Sequence, residues 1–405
     1  MEGLRRVVAC ACLLLLVGCG GSDESGSGVT VTDSAGVRIV VHPASVALPP
    51  LSVDLDTGRT LPGDADLPPF RIGAVLKQPD GGYVVADAGN TRVLFLDGEG
   101  AITGSVGREG DGPGEFRDVS VLGRGVADSL VVWDRQLRRI SVLAKDGTFA
   151  RSFALETTEG VPFASVSGVY GDGSFLANGF AEVGGGGPSS GRNVYSSPLF
   201  HFGPNGAFRS EAGSFPGTES YFEVFPDGGF RALPVLFPRV AFRLPVRERL
   251  LFATSDRYEL EFMLPDGTLE MILRRNVPSV PVGSEARRIA TDRLLESVRP
   301  EQQSEMRSVL NEMDVPEHLP HLADIFGDRL GRTWVREYRV REEGPATWLI
   351  FDDGGLATGS VSLPSDFSPR DAGPGYVVGV VTDELGVESV REYLMSTEPG
   401  TPRPN

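Results

Sequence analysis

The stretch GGYVVADAGNTRVLFLDGEGAITGSVGREGDGPGEF, residues 81–116, contains three short predicted strands in succession. Residues 83–87, 92–96 and 101–106 are rich in β-branched and aromatic side chains, and short polar turns separate them. Strands joined by turns this short pair with one another as antiparallel hairpins. The stretch therefore predicts an antiparallel meander.

The same order of strand, turn, strand, Asp-Gly turn and strand returns along the rest of the chain. A clear second copy begins at SLVVWD, residues 129–134, weaker copies begin near residues 173, 249 and 331, and a partial copy covers residues 375–394. Repeats of about 45 residues have the length of propeller blades. We therefore predict an all-β fold over residues 29–405, a six-bladed β-propeller of four-stranded antiparallel blades.

The first copy resembles an NHL-type repeat. It matches that repeat at Asp87, Asn90, Arg92 and Val93, at its Asp-Gly turn, and at the glycine run that ends in Phe116. The clear match covers residues 72–150, and the resemblance implies a six-bladed propeller. Later copies lack the D-x-x-N-x-R signature, so for them the prediction rests on strand order.

The glycine-rich segment GREGDGPGEF, residues 107–116, is predicted to carry the chain from one blade to the next. Glycine adopts backbone angles that other residues avoid, and Phe116 is expected to plug the space between blades. The chain contains neither glycine pattern that opens a helix and cradles phosphate. We therefore interpret this loop as structural.

Three further segments complete the predicted organisation. Residues 29–43 alternate before the first blade, so we expect them to supply the outer strand of the last blade and close the ring. Residues 284–316 predict a short helical insertion between blades four and five, broken near Pro300 and capped by Ser284. It either packs against a blade edge or covers the axial channel. Residues 218–237 predict an added hairpin.

The N-terminus has the pattern of an export signal. Arg5 and Arg6 precede an apolar core over residues 7–17 that is too short to span a bilayer. The run LVGC, residues 16–19, resembles the lipobox of bacterial lipoproteins. The resemblance implies a signal peptide over residues 1–18 and lipid on Cys19; an ordinary signal peptide is the alternative.

Residues 19–28 are Gly/Ser-rich and predict a flexible tether between the lipid and the globular domain. Gly20 follows the cysteine, and similarity to lipoprotein sorting signals implies anchoring in the outer membrane with the globule in the periplasm. Cys10 and Cys12 would leave with the signal peptide, so no disulfide is expected within the mature chain.

Composition excludes some partners. The formal net charge is −17, and Lys77 and Lys145 are the only lysines. No cluster of basic residues could follow a phosphate backbone, so the sequence predicts no nucleic-acid partner. The acidic balance also disfavours adsorption to anionic lipid surfaces.

Few residues suggest chemistry. The chain lacks G-x-S-x-G, H-E-x-x-H and paired C-x-x-C motifs and has only four histidines. His318 and His321, with Asp324 nearby, could ligate a metal, but Pro320 prevents the regular helix that would place both on one face. Asp87, Asn90 and Asp134 are interpreted as turn formers. We predict no catalytic residue, metal site or cofactor, with a divalent metal such as Ca or Zn in the channel as the alternative.

Aligning the copies at the start of the predicted inner strand reveals a possible binding site. In five copies a basic residue follows an apolar residue by one to three positions: Arg71, Arg117, Arg239, His321 and Arg370. Because inner strands line the axial channel, we predict that these side chains surround one mouth of it and bind a small anionic ligand or an acidic peptide end. The alternative is that each arginine pairs separately with a neighbouring carboxylate.

Two classes of function fit these features. The first is a lipid-anchored binding or interaction module of the cell envelope, whose partner is an envelope protein, a peptide or a small anion. The second is a metal-dependent lyase or hydrolase, since peptidyl-hydroxyglycine amidating lyase and sugar lactonases resemble this fold. The scarcity of histidine favours binding.

The lipobox generates a first prediction. In Cys19→Ala the acceptor sulfur is gone, so we expect the protein to be unlipidated and released from membranes. Membrane fractionation of cells that express either form measures this. Equal membrane retention of the variant and the wild type would contradict lipid anchoring.

Overall fold

The computed structural model describes residues 28–45, 48–56, 58–61, 68–156, 164–179, 187–383 and 385–396. The predicted signal peptide and Cys19 lie outside these residues. The strands of the first part are β1 (Thr30–Ser34), β2 (Val37–His42), β3 (Ser52–Val53), β4 (Arg59–Leu61), β5 (Ile72–Lys77), β6 (Tyr83–Asp87), β7 (Arg92–Leu96), β8 (Ile102–Val106), β9 (Val119–Arg124), β10 (Leu130–Asp134), β11 (Arg139–Leu143), β12 (Phe149–Phe153), β13 (Ser165–Val169), β14 (Phe175–Asn178) and β15 (Gly191–Asn193).

The second part adds the remaining strands and both α-helices. They are β16 (Ser196–Phe202), β17 (Phe208–Pro216), β18 (Ser220–Val224), β19 (Phe230–Leu233), β20 (Ala241–Val246), β21 (Arg249–Thr254), β22 (Glu259–Met263), β23 (Leu269–Arg275), α1 (Ser284–Glu296), α2 (Gln303–Glu312), β24 (Leu322–Gly327), β25 (Thr333–Glu337), β26 (Ala346–Phe351), β27 (Ala357–Leu363), β28 (Phe367–Gly373), β29 (Tyr376–Thr382) and β30 (Glu388–Ser396). Among the described residues, no helix is long and apolar enough to cross a membrane.

The antiparallel sheets form a six-bladed β-propeller, as predicted. From the inner to the outer strand, the blades are β5-β6-β7-β8, β9-β10-β11-β12, β13-β14-β16-β17, β20-β21-β22-β23, β24-β25-β26-β27 and β28-β29-β30-β4. Each inner strand contacts the inner strands of the blades before and after it, and β28 contacts β5 to complete the circle. The apolar core therefore lies between successive blades.

Buried acidic residues hold the turns that begin each of the first two blades. The Asp87 carboxylate accepts hydrogen bonds from the backbone N–H of Phe70 at 3.1 Å and from the Arg92 Nε at 2.8 Å. Asp134 accepts from the backbone N–H of Arg117, just before β9, at 2.6 Å. Both carboxylates are fully buried. In the fourth blade the Ser255 hydroxyl takes this place and accepts from the Val240 N–H at 2.9 Å. The interpretation of these acids as turn formers is confirmed.

The glycine-rich loop after β8 behaves as the sequence predicts. Gly107 has a φ of 106°, and a Cβ built on it would lie 2.4 Å from the Phe116 ring. Phe116 is fully buried in a cluster that includes Val93 of the first blade and Val132 of the second. A side chain at position 107 would displace this plug, so the loop needs glycine there for both space and backbone angle.

The prediction that residues 29–43 close the ring is wrong. Strand β2 runs parallel to β23, and β1 pairs with β2, so this hairpin widens the fourth blade to six strands. The last blade instead receives β4, which pairs antiparallel with the middle of β30, while β3 pairs with its end. Alternation predicts a strand but not its partner, and the three-residue β4 is too short to give a pattern.

Closure rests on a small set of contacts between β4 and the two blades that it joins. Leu61 is 1% exposed and lies in the apolar cluster shared by the first and sixth blades. The Arg59 Nη2 donates to Glu392 Oε2 at 2.9 Å and to the Tyr83 hydroxyl at 2.6 Å. Lys77 is the second cation on Glu392, and its Nζ lies 4.6 Å from the centre of the Tyr376 ring. Apolar burial and ion pairing thus hold β4 between the first and sixth blades. We call this junction the seam.

Both predicted insertions are present and form one unit. Strands β18 and β19 make the predicted hairpin, which β15 extends to three strands. Helices α1 and α2 pack on it through a cluster that contains Leu233, Leu310 and Met313. We call β15, β18, β19, α1 and α2 the cap unit. Helix α1 is capped by Gly283 and not by Ser284, which is the first helical residue and makes no capping hydrogen bond.

Glycines on the inner strands allow neighbouring blades to approach closely. A Cβ built on Gly123 of β9 would lie 2.5 Å from Val169 of β13, and one on Gly168 of β13 would lie 2.4 Å from Pro245 of β20. Real Cβ atoms do not come this close to other heavy atoms, so larger residues would force these inner strands apart.

A substitution at Leu61 tests whether β4 closes the ring between the first and sixth blades. Leu61→Ala should lower the free energy of unfolding by about 2–5 kcal/mol, because it empties a buried site between two blades. Leu55→Ala is the matched control in the same segment, since Leu55 is 40% exposed. The control should change stability by at most about 0.5 kcal/mol in urea unfolding. Equal effects of both variants would contradict closure by β4.

A substitution at Gly123 tests how closely the inner strands are packed. Gly123→Ala should destabilise the protein by about 1–3 kcal/mol, because the new methyl group meets Val169. Gly104→Ala is the control, since nothing lies within 4 Å of a Cβ built there. We expect the control to leave the urea midpoint unchanged or slightly raised. A neutral Gly123→Ala would show that the inner strands can separate without cost.

Candidate functional site

An axial cavity of about 650 Å³ runs between the inner strands. All six blades contribute to its wall: Gly73, Ala74 and Leu76; Ser120, Leu122, Gly123 and Arg124; Ser167, Gly168, Val169, Tyr170 and Gly171; Pro245, Val246, Arg247 and Glu248; Gly327, Asp328 and Arg329; and Arg370 and Asp371. Eight of these 21 residues are glycine, alanine or serine. The volume lies within the range of sites that hold small molecules.

The charged residues of the wall come from three places in the blades. Arg124 ends the inner strand of the second blade, while Arg247 and Arg329 follow the inner strands of the fourth and fifth. Arg370 lies within β28 itself. The acidic residues of the wall are Glu248, Asp328 and Asp371. The balance between these two sets decides the charge that a ligand meets.

Asp371 is buried and already paired. Its carboxylate accepts hydrogen bonds from the Arg124 Nη2 at 2.9 Å and from the Lys77 backbone N–H at 2.8 Å. The side chain is 4% exposed, and burial raises its pKa although Arg124 opposes this. The neighbouring Tyr376 hydroxyl lies 3.4 Å from Asp371 Oδ2, and burial raises the pKa of Tyr376 to about 12. Arg124 and Asp371 therefore neutralise each other.

Asp328 is likewise committed to the fold. Its Oδ2 accepts from the Arg332 Nε at 2.6 Å and from the Trp334 indole N–H at 2.9 Å, while its Oδ1 accepts from the Leu330 backbone N–H. The Asp328 side chain is fully buried. The charge of Asp328 is therefore neutralised by Arg332 within the fifth blade. It offsets little of the positive charge of the arginines that line the cavity.

Arg329 and Arg370 remain without a carboxylate partner among the described residues. Arg329 Nη1 donates to the Lys77 carbonyl at 3.2 Å and lies 3.4 Å from the Tyr376 hydroxyl, and Arg370 donates only to the carbonyl of its own neighbour, Pro369. Both side chains are exposed. The Arg329 backbone N–H donates to the Ala372 carbonyl at 3.1 Å, which holds its turn against β28. The wall therefore presents two guanidinium groups that could bind an anion.

The five predicted mouth residues do not share one cavity. Arg370 lines the axial cavity, Arg239 lines a second cavity beside the cap unit, and His321 lines a third. Arg71 is exposed, and Arg117 forms a salt bridge with Asp111 at 2.5 Å. Arg117 thus matches the alternative interpretation of an arginine that pairs with a neighbouring carboxylate.

Sequence reasoning missed Arg124, Arg247 and Arg329. The signal was present at the other end of the inner strands, where Lys77, Arg124, Arg247 and Arg329 occupy similar positions in four of the copies. Aligning the copies only at the start of the inner strand hid this recurrence. Basic residues occur at both ends, so the sequence alone does not decide which set faces a cavity.

His321 and Asp324 make separate contacts within the fold. His321 Nε2 lies 3.4 Å from the Ser279 hydroxyl, and burial lowers the pKa of His321. Asp324 accepts from the backbone N–H of Ile325, and burial raises its pKa. Among the described residues, no three His, Cys, Asp or Glu side chains lie close enough to hold a metal ion. The predicted alternative, a metal-dependent enzyme, thus has no candidate ligand set in this part of the chain.

Searches of protein-family models and of curated proteins find no match to this chain. Among solved structures, a protein described as exported, from Bacteroides fragilis, is 11% identical, with 89% of this chain and 100% of that chain covered and a TM-score of 0.50. Virginiamycin B lyase from Staphylococcus aureus is 8% identical over 85% of this chain and 99% of its own, with a TM-score of 0.36.

A third solved structure is the β-propeller domain of Cps50 (Swd1) from Myceliophteria thermophila. It is 9% identical to this chain, with 86% of this chain and 100% of that domain covered and a TM-score of 0.38. Likenesses at such low identity concern the fold and carry no activity, ligand or partner with them. The likeness to the Bacteroides fragilis protein, at a TM-score of 0.50, concerns the overall fold alone.

Proposed function

We propose that this protein is a ligand-binding module of the cell envelope whose axial cavity holds a small organic anion. The observation that carries the proposal is the pair Arg329 and Arg370, two guanidinium groups that line the cavity without a carboxylate partner among the described residues. Guanidinium forks match the geometry of carboxylate and phosphate groups. The proposed ligand class is the one predicted from the sequence. The proposed site is the wall of the axial cavity and not the ring of five basic residues predicted at the channel mouth.

The cavity wall favours a compact ligand. Glycine, alanine and serine supply much of it, so little side-chain rearrangement is needed to admit a molecule. The overall charge of −17 would repel an anion at long range, whereas the guanidinium groups attract it locally. Binding should therefore depend on these two arginines and weaken with added salt.

The envelope location rests on the N-terminal sequence. The LVGC run supports a lipid on Cys19, and the Gly/Ser-rich residues 19–28 supply a tether. A lipid-anchored binding module with its globule in the periplasm would meet small anions that cross the outer membrane. The envelope protein or peptide partner predicted from the sequence remains a second occupant to test at the same cavity.

The double variant Arg329→Gln/Arg370→Gln tests the site. Charge-assisted contacts contribute about 1.5–3 kcal/mol each, so loss of both should weaken anion binding by roughly a hundredfold or more. Isothermal titration calorimetry with succinate, citrate and inorganic phosphate would measure the affinities at low and at moderate salt.

Arg71→Gln/Arg117→Gln is the matched control, since it removes the same charge from two predicted mouth residues outside the axial cavity. We expect the control to bind as the wild type does. If no tested anion binds the wild type more tightly than the Arg329/Arg370 double variant, the proposal is wrong. If the control loses binding equally, the anion responds to net charge and not to the cavity.

A further inference from the structure

A second cavity, of about 400 Å³, lies where the cap unit meets the fourth and fifth blades. We call it the cap cavity. Its lining residues are Val194, Glu219, Phe237, Pro238, Arg239, Ser255, Asp256, Ser279, Pro316, Glu317, His318, Leu319 and Pro320. They come from the segments that enter β18, β20 and β24, from the turn after β21, and from the residues that follow β15 and β23. None of them lines the axial cavity among the residues described.

Arg239 is the arginine that lines the cap cavity. Its backbone N–H donates to Glu219 Oε2 at 3.1 Å, but its guanidinium has neither a hydrogen bond nor an ion pair among the described residues. The Arg239 Nε is buried and has no partner. Glu219 is occupied by Arg192, whose Nη1 lies 2.5 Å from the same oxygen. A buried N–H without an acceptor is costly, and a carboxylate bound in the cavity would supply an acceptor for it.

Two carboxylates line the same cavity without pairing with Arg239. Asp256 and Glu317 are exposed and form no salt bridge among the described residues. Opposite charges that face one cavity and yet do not meet leave room for a molecule that carries both signs. An ammonium group suits the carboxylates, and a carboxylate suits the guanidinium fork.

Apolar side chains supply the rest of the wall. Phe237 is 4% exposed and holds a left-handed backbone angle of 52°, a strained conformation for an aromatic residue. Pro238, Pro316 and Leu319 also contact the space, and prolines lose little conformational freedom when a ligand binds. The wall is therefore rigid and suited to an apolar group between two charged ends.

The roof of the cap cavity is braced. Arg192 donates to the Leu236 carbonyl at 2.6 Å and to the Asp314 carbonyl at 2.9 Å, so one guanidinium ties β15 to the segments on either side of the cavity. Arg287 of α1 donates to the carbonyls of Leu310 and Met313 at the end of α2. The cavity is therefore formed before a ligand arrives, which lowers the entropic cost of binding.

We propose that the cap cavity binds a small zwitterion, an amino acid with an apolar side chain, whose carboxylate pairs with Arg239 and whose ammonium faces Asp256 and Glu317. The volume admits one such molecule. This site is separate from the axial cavity and does not depend on the function proposed for it.

Calorimetry of the purified full chain with L-phenylalanine, 3-phenylpropanoate and 2-phenylethylamine tests the proposal. The amino acid should bind at least tenfold more tightly than either analogue, since each lacks one charge. Arg239→Gln should weaken phenylalanine binding at least tenfold. Glu317→Gln and Asp256→Asn, at exposed positions that folding does not require, should weaken phenylalanine binding and leave 3-phenylpropanoate unchanged.

Arg257→Gln is the matched control, because Arg257 follows Asp256 in the same turn but pairs with Glu259 and does not line the cavity. It should bind phenylalanine as the wild type does, and so should the Arg329/Arg370 double variant. Equal binding of the amino acid and the acid would overturn the zwitterion proposal. Phenylalanine binding that survives Arg239→Gln, or that disappears in the Arg329/Arg370 double variant, would overturn the assignment to this cavity.

Discussion

The seam between the first and sixth blades is the constraint on which the rest of the structure depends. A propeller whose last blade lacks an outer strand leaves an open sheet edge and no fixed diameter. Here β4, three residues long, supplies that strand through Leu61 and Arg59, and Arg59 and Lys77 converge on one buried glutamate. Because Glu392 pairs with two cations, their attraction offsets the cost of burying its carboxylate. The seam joins residues more than three hundred positions apart, so the blades become one ring only when it forms.

Closure of the ring determines the width of the axial cavity and the positions of the arginines in its wall. Inner strands that approach through Gly123 and Gly168 set its width, and the carbonyl of Lys77, at the seam, accepts hydrogen bonds from both Arg124 and Arg329. One backbone carbonyl at the seam thus holds two arginines of the cavity wall. Arg124 pairs with the buried Asp371, whereas Arg370 has no carboxylate partner among the described residues. The partners that an arginine meets thus decide whether its charge is neutralised within the fold.

The sequence predicted the fold class, the blade pattern, the helical insertion and the hairpin, because each depends on local periodicity and on turn residues such as Gly107 and Asp87. It failed where the outcome depends on which strand meets which. Residues 29–43 alternate as an edge strand should, yet they join the fourth blade, while the strand that closes the ring has no readable pattern. The five predicted mouth residues do not share one cavity, for a related reason. Arg117 and Arg370 follow similar sequence patterns, but Asp111 neutralises one, and nothing in the spacing reveals that.

Lysine is scarce in this chain, and arginine performs a structural role that lysine could not. A guanidinium fork can bridge several carbonyl groups at fixed angles, as Arg192 and Arg287 do in the cap unit, and an ammonium cannot do so as precisely. Arginine therefore acts as a brace at these positions. Arg239, Arg329 and Arg370 depart from this pattern, since each lines a cavity and lacks a carboxylate partner among the described residues. In a chain with a net charge of −17, carboxylates are plentiful, so the lack of a carboxylate partner beside these three guanidinium groups, among the described residues, is the feature on which both binding proposals rest.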